Sequence, residues 1–252
     1  MDIAFARALQ AGTDAVHAAD PTALAAIEGG QIPGTGGYDY ALLAHAVDAI
    51  ELSDEGDNME IARSLKPNLV MLNTSTEAGP SEWRATWREL LRGSRGVVLW
   101  DDRNSFANAD GSLEARGSAA APLFRELRSG LGALIINSRR HIDPIALLYS
   151  PASFRTRWLL DNQPLGDAWS RRDIGAETNS NLLRASVDRF ARSIEHMGLQ
   201  HRFVTPAQLL DGSLAPYRVL ILPQAIALSP DEAAAIRHFA EAGGVVIADG
   251  EP

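Results

Sequence analysis

Leu69-Val-Met-Leu72 followed by Asn73-Thr74, and Gly96-Val-Val-Leu-Trp100 followed by Asp101, are apolar runs that stop abruptly in polar or acidic residues. The same grammar occurs twice upstream, in Leu24-Ala-Ala-Ile27 before Glu28 and Val47-Asp-Ala-Ile50 before Glu51. Between these runs lie segments with helical spacing. Tyr38 to Val47 is apolar at Leu42, Leu43 and Ala46, and Asn58 to Leu65 puts Met59, Ala62 and Leu65 on one side. Glu82 to Arg92 carries Trp83, Trp87, Leu90 and Leu91 at helical intervals, with Gly93 as a C-terminal stop. Each interval exceeds the ~10–12 residues that a parallel crossover requires. The repeat therefore predicts consecutive β/α units of a barrel wall, in which polar groups at the carboxyl ends of the strands face the substrate. Glu28, Glu51, the Asn73–Glu77 loop and Asp101 are the first candidates for chemistry.

A closed barrel of this kind needs eight such units, and only four are visible, preceded directly by a helix over Ile3 to Val16. The expectation is the second half of a (β/α)8 barrel over residues 1–138, with the natural start of the fold upstream of Met1. Asp101 to Ala121, rich in Asn, Asp, Gly, Ser and Ala, reads as a long loop, followed by a helix from Pro122 to Gly132 and the polar connection Asn137-Ser-Arg-Arg-His141. A second rhythm then begins. It consists of strand Ile145 to Tyr149, a long variable stretch, helix Asn181 to Met197, strand His201 to Val204, strand Arg218 to Leu222, helix Pro230 to Ala242 and strand Val245 to Ala248. Continuous apolar strands alternating with amphipathic helices predict a doubly wound open parallel sheet over 139–252, flavodoxin- or amidotransferase-like in outline and truncated at its C-terminus. Ser229-Pro230-Asp231-Glu232 is a helix start, and Gly243-Gly244 is its stop.

Composition narrows the partners. Of 252 residues 46% are apolar and 22% charged, ordinary for a globular chain, and the net charge of −9 argues against nucleic acid and anionic membranes. No apolar run is long enough to span a bilayer, and Met1 opens no signal-peptide pattern, so a cytoplasmic location is the expectation. With no cysteine in the chain, disulfides, thiolate metal sites and thiol nucleophiles are excluded. Six histidines, at 17, 45, 141, 196, 201 and 238, show no paired ligand spacing, so no metal is expected. The glycine-rich stretch Gly29 to Gly37 has neither the Lys-Ser/Thr of a P-loop nor a dinucleotide fingerprint, so no cofactor is expected either.

Several motifs together resemble β-galactosidases of glycoside hydrolase family 42. They are Gly37-Tyr-Asp-Tyr40, Asp48-Ala-Ile-Glu51, Glu60-Ile-Ala-Arg-Ser-Leu-Lys-Pro67 and Gly93-Ser-Arg-Gly-Val-Val-Leu-Trp-Asp101. To these add Tyr217-Arg-Val-Leu-Ile-Leu-Pro223, Leu228-Ser-Pro-Asp-Glu232 and Gly243-Gly-Val-Val-Ile-Ala-Asp249. The resemblance implies the later half of the catalytic barrel followed by the family's trimerisation domain, a homotrimer, and retaining hydrolysis of β-galactosides or related sugars. Such hydrolysis uses an acid and a nucleophilic carboxylate roughly 5–5.5 Å apart. In the resembled family the acid follows the fourth strand, here upstream of Met1, and the nucleophile ends the seventh. The seventh strand of this chain ends Leu72-Asn73-Thr74-Ser75-Thr76 instead, with Glu77 beyond it. Glu51 and Glu77 are therefore the catalytic candidates, and Glu28, Asn73, Trp100 and Asp101 the substrate-binding ones. The alternative is a non-catalytic carbohydrate-binding or assembly protein derived from that fold.

Overall fold

Two four-stranded sheets, both wholly parallel, organise the chain. The structure, a computed structural model, describes residues 2–30, 39–52, 57–75, 78–101, 105–171 and 182–250. Helix α1 (Asp2–Ala19) leads into β1 (Ala26–Gly30), α2 (Tyr40–Ala46), β2 (Ala49–Leu52), α3 (Asn58–Leu65), β3 (Val70–Ser75), α4 (Pro80–Arg92) and β4 (Gly96–Leu99). Strand order in this first sheet is β1-β2-β3-β4. Sequential order of that kind arises when each crossover steps the same way, as in a barrel wall.

The connection to the second sheet is more helical than expected. α5 (Ala115–Glu126) starts well before Pro122, which lies inside it, and a π-helical turn (Leu127–Leu131) joins it to α6 (Gly132–Asn137). The second unit comprises β5 (Ile145–Leu148), α7 (Pro151–Asn162), α8 (Leu182–His196), β6 (Arg202–Val204), α9 (Pro206–Leu210), β7 (Val219–Leu222), α10 (Pro230–Glu241) and β8 (Val245–Ala248). Its order, β6-β5-β7-β8, reverses direction at β5, as in a doubly wound sheet. α7 occupies part of the stretch expected to be variable. Its start was legible in principle: Ser150 caps the helix by accepting from the Ser153 amide, and Pro151 takes the first helical position.

Local signals explain the element ends. Gly93 closes α4 at φ +110°, a conformation costly for residues with a Cβ, and its amide bonds back to the helix. Ser229 and Glu232 form a reciprocal capping box on α10. One apolar cluster runs through both units, with Tyr40, Ile50, Leu52, Met59, Ile61 and Met71 from the first and Leu147, Tyr149, Phe154, Leu183 and Phe203 from the second. Polar contacts cross the same boundary. The Phe203 amide donates to Ser64 Oγ at 2.9 Å, the Tyr40 amide to the Tyr149 hydroxyl at 3.1 Å, and Arg140 pairs with Glu60 at 2.5 Å. A second cluster, built on Ala146, Leu148, Leu220 and Leu222, fills the other side of the second sheet. Among the described residues no helix is long and apolar enough to cross a membrane.

Candidate functional site

The two faces of the first sheet differ, and the parallel register says which residues share each. Ile50 pairs with Met71, Leu52 with Asn73, and Asn73 with Val97, so these side chains lie on one face. That face is packed by helices: Ile50, Leu52, Met71, Asn73 and Ser75 are buried, Asn73 donates to Glu89 of α4, and Ser75 donates to Glu82 of α4 at 2.9 Å. The opposite face carries Ala26, Ala49, Glu51, Leu72, Thr74, Gly96 and Val98. Its outer members are open, with Ala26 and Val98 exposed.

Glu51 is the polar centre of this open face. It is 8% exposed, and its Oε1 accepts a hydrogen bond from the Thr74 hydroxyl on the neighbouring strand. Two helix starts at the same end of the sheet contribute Tyr40 and Asn58, both buried. Burial pushes the Tyr40 phenol well above its ordinary value; the neighbouring Asn58 amide opposes the shift and the Glu51 charge reinforces it. Tyr40 thus stays a neutral hydroxyl beside a carboxylate, a hydrogen-bond donor at neutral pH. Glu28 is exposed on β1, two residues beyond Ala26 and within an irregularity in the β1–β2 register between Ile27 and Gly30. Glu28 and Glu51 belong to adjacent strands, β1 and β2.

The remaining candidates separate. Trp100 follows β4 and is 53% exposed; its amide donates to the Ser75 carbonyl at 3.0 Å, which extends the β3–β4 edge. Asp101 accepts from the amides of Ser105 and Phe106 at 2.8 and 2.9 Å and from the Ser105 hydroxyl at 3.0 Å. Those donors, the Ser105 amide foremost, hold its carboxyl below the usual range, so Asp101 is engaged by Ser105 and Phe106. The structure does not bring Asn73 to the open face. The strand runs on to Ser75, and alternation sends Asn73 toward the helices. Glu77 lies outside the described residues.

Arg116, which the sequence reading passed over, supports the rim from behind. It is 7% exposed and donates to Glu82 Oε1 through Nη2 at 2.6 Å and Nε at 3.2 Å, to the Ser75 carbonyl at 2.9 Å, and to the Trp100 carbonyl. One guanidinium thereby ties together the ends of β3 and β4 and the start of α4. No group of three or more His, Asp or Glu side chains among the described residues is placed to hold a metal.

This fold has solved counterparts. It superimposes on a β-galactosidase from the psychrophilic Marinomonas ef1 with a TM-score of 0.64 over 97% of this chain at 13% identity. A β-galactosidase from Rahnella sp. R3 matches at 0.62 over 98% with 17% identity. A catalytic mutant of a GH42 β-galactosidase from G. stearothermophilus matches at 0.62 over 92%, also with 17% identity. The chain shares the fold of these β-galactosidases. It spans 42%, 40% and 38% of their respective lengths. No family model matches the chain, and no curated protein matches it.

Proposed function

We propose that the open face of the first sheet is a carbohydrate site of the glycosidase type, the later half of a (β/α)8 barrel that acts on β-galactosides or related sugars. The observation that carries this reading is Glu51: a carboxylate that accepts from the Thr74 hydroxyl, at the carboxyl end of a parallel strand, on the sheet face opposite the one that bonds to α4. The shared fold with three β-galactosidases supports the choice of sugar. A fixed carboxylate can accept from a sugar hydroxyl, or stabilise the positive charge that develops at an anomeric carbon. The exposed Glu28 on the adjacent strand β1 and the exposed indole of Trp100 supply further polar and stacking contacts.

Whether the site also cleaves its sugar depends on a second carboxylate, and one observation favours binding without hydrolysis. The resembled family ends its seventh strand in the nucleophilic glutamate, whereas β3 ends Asn73-Thr74-Ser75 here, and Thr74, the residue on the Glu51 side, is engaged with Glu51. The two readings separate on nitrophenyl β-galactoside. As a hydrolase, the chain turns it over, and Glu51→Gln or Glu77→Gln lowers the rate by orders of magnitude. As a binder, it retains the ligand with no turnover, and Glu51→Gln weakens binding. If Glu51→Gln changes neither, Glu51 is not the centre of the site. For residues 139–252 we propose the assembly role that the resemblance implies, with a homotrimer as the expected state; light scattering coupled to size exclusion tests it.

A further inference from the structure

The second unit holds a cavity of its own, of about 650 Å³, at the amino-terminal ends of β7 and β8. The Val245 amide donates to the Arg218 carbonyl at 2.9 Å, which sets the starts of these two strands side by side. α9 and the loop after it form one wall, and α10 forms the other. Leu209 and Leu214 of the first wall are buried in the apolar cluster on which Tyr217 and Phe239 also pack. A Cβ on Gly244 would collide with the Phe239 ring, so glycine at the start of β8 lets that ring close the cavity from the α10 side.

The polar lining is one-sided in charge. Tyr217 comes from the loop, Arg218 from the start of β7 and His238 from the last turn of α10. Among the described residues neither the Arg218 guanidinium nor the His238 imidazole has a hydrogen bond or an ion pair. No Asp or Glu among the described residues lines the cavity, and the carboxylate of Asp211, in the loop wall, accepts from the Ser213 amide at 2.9 Å. Burial raises the Tyr217 phenol and the Arg202 charge opposes the shift, so the hydroxyl stays protonated and able to donate. In a chain of net charge −9, the cavity reverses the prevailing sign. Small-molecule sites are typically concave, about 300–1,000 Å³, apolar-walled and equipped with a few convergent polar groups. Three donor groups suit the three terminal oxygens of a phosphomonoester better than the two of a carboxylate. The volume far exceeds a phosphate group, which leaves room for an organic body along the apolar wall.

We propose that this cavity binds small phosphomonoesters, with the phosphate on Tyr217, Arg218 and His238 and the organic body against Leu214 and Phe239. The test is calorimetric titration of the whole chain with phenyl phosphate, and in parallel with inorganic phosphate, benzoate and the neutral benzyl alcohol. The expected result is one phenyl phosphate site per chain, at least tenfold tighter than each of the other three. Arg218→Gln with His238→Gln, both exposed positions, should weaken phenyl phosphate at least tenfold and keep the thermal midpoint. Arg237→Gln, an exposed cation of α10 outside the lining, should leave the affinity unchanged. Inorganic phosphate as tight as phenyl phosphate would remove the organic body from the account, and benzoate or benzyl alcohol as tight would remove the phosphate; any of these overturns the proposal. So do unchanged binding in the double variant and an equal loss in Arg237→Gln, which would mean diffuse attraction by charge. Saturating lactose should leave phenyl phosphate binding unchanged; competition would put the probe on the open face of the first sheet and equally overturn the assignment.

Discussion

Replacing Arg116 by Met tests the architecture behind the candidate site. Arg116 and Glu82 are both buried, with side chains 7% and 1% exposed, and the guanidinium contacts Glu82 Oε1 twice while holding the carbonyls of Ser75 and Trp100. Glu82 Oε2 has no partner among the described residues, so Arg116 and Ser75 carry most of its compensation. Removing one member of a buried pair strands the other charge and costs about 3–5 kcal/mol. For a chain of 252 residues, with about 2–4 °C of melting temperature per kcal/mol, the expected drop in Tm is roughly 6–20 °C. The double variant Arg116→Met with Glu82→Leu removes the stranded charge as well and should recover much of the loss, because apolar replacement of a buried pair is often neutral or better. The assay is thermal unfolding followed by circular dichroism at constant chain concentration. A single variant that melts within about 2 °C of the parent, or a double variant no more stable than the single, would refute the reasoning.

Other perturbations probe separate links. Asn73→Ala should cost about 1–3 kcal/mol in urea unfolding, because it leaves the buried Glu89 without that donor, and should leave sugar binding intact. Thr74→Val removes the hydroxyl bonded to Glu51 at nearly constant volume; a loss of about 1.5–3 kcal/mol is expected, together with weaker sugar binding measured by calorimetry. Burial alone would raise the Asp57 carboxyl, but His201 at 3.6 Å and Arg92 at 2.8 Å hold it below its ordinary value. A depressed folded-state pKa gives stability that is fully present above the unfolded value of about 4 and is lost as pH falls through the folded one. Urea midpoints measured from pH 6 down to pH 3 should therefore fall less steeply in Asp57→Asn than in the parent. Asn tolerates the left-handed backbone at this position, φ +57°.

The fold was legible because apolar runs and helix punctuation recur, and both survive in the structure: Asn58 to Leu65, Gly93 and the Ser229 cap stand where the spacing put them. Strand ends were less legible. Apolar runs begin at Leu24, Val47 and Leu69, whereas the strands begin at Ala26, Ala49 and Val70. At the other end β3 continues through Asn73, Thr74 and Ser75, polar residues that a hydrophobicity pattern reads as loop. Within the strand their side chains donate to Glu89, Glu51 and Glu82 respectively. That extension also decides which residue faces the open side, since a period of two separates Thr74 from Asn73. Arg116, Tyr40 and Asn58 were missed for a different reason: each acts on a residue distant in sequence or at another element's end, and no local motif marks such contacts.

The most direct test of a sugar site centred on Glu51 is calorimetric titration of the chain and of Glu51→Gln with a β-galactoside such as lactose. The account predicts measurable binding by the parent and at least tenfold weaker binding by the variant, with thermal midpoints that stay close together. Equal affinity in the two proteins, or no binding by the parent at millimolar sugar, would contradict it.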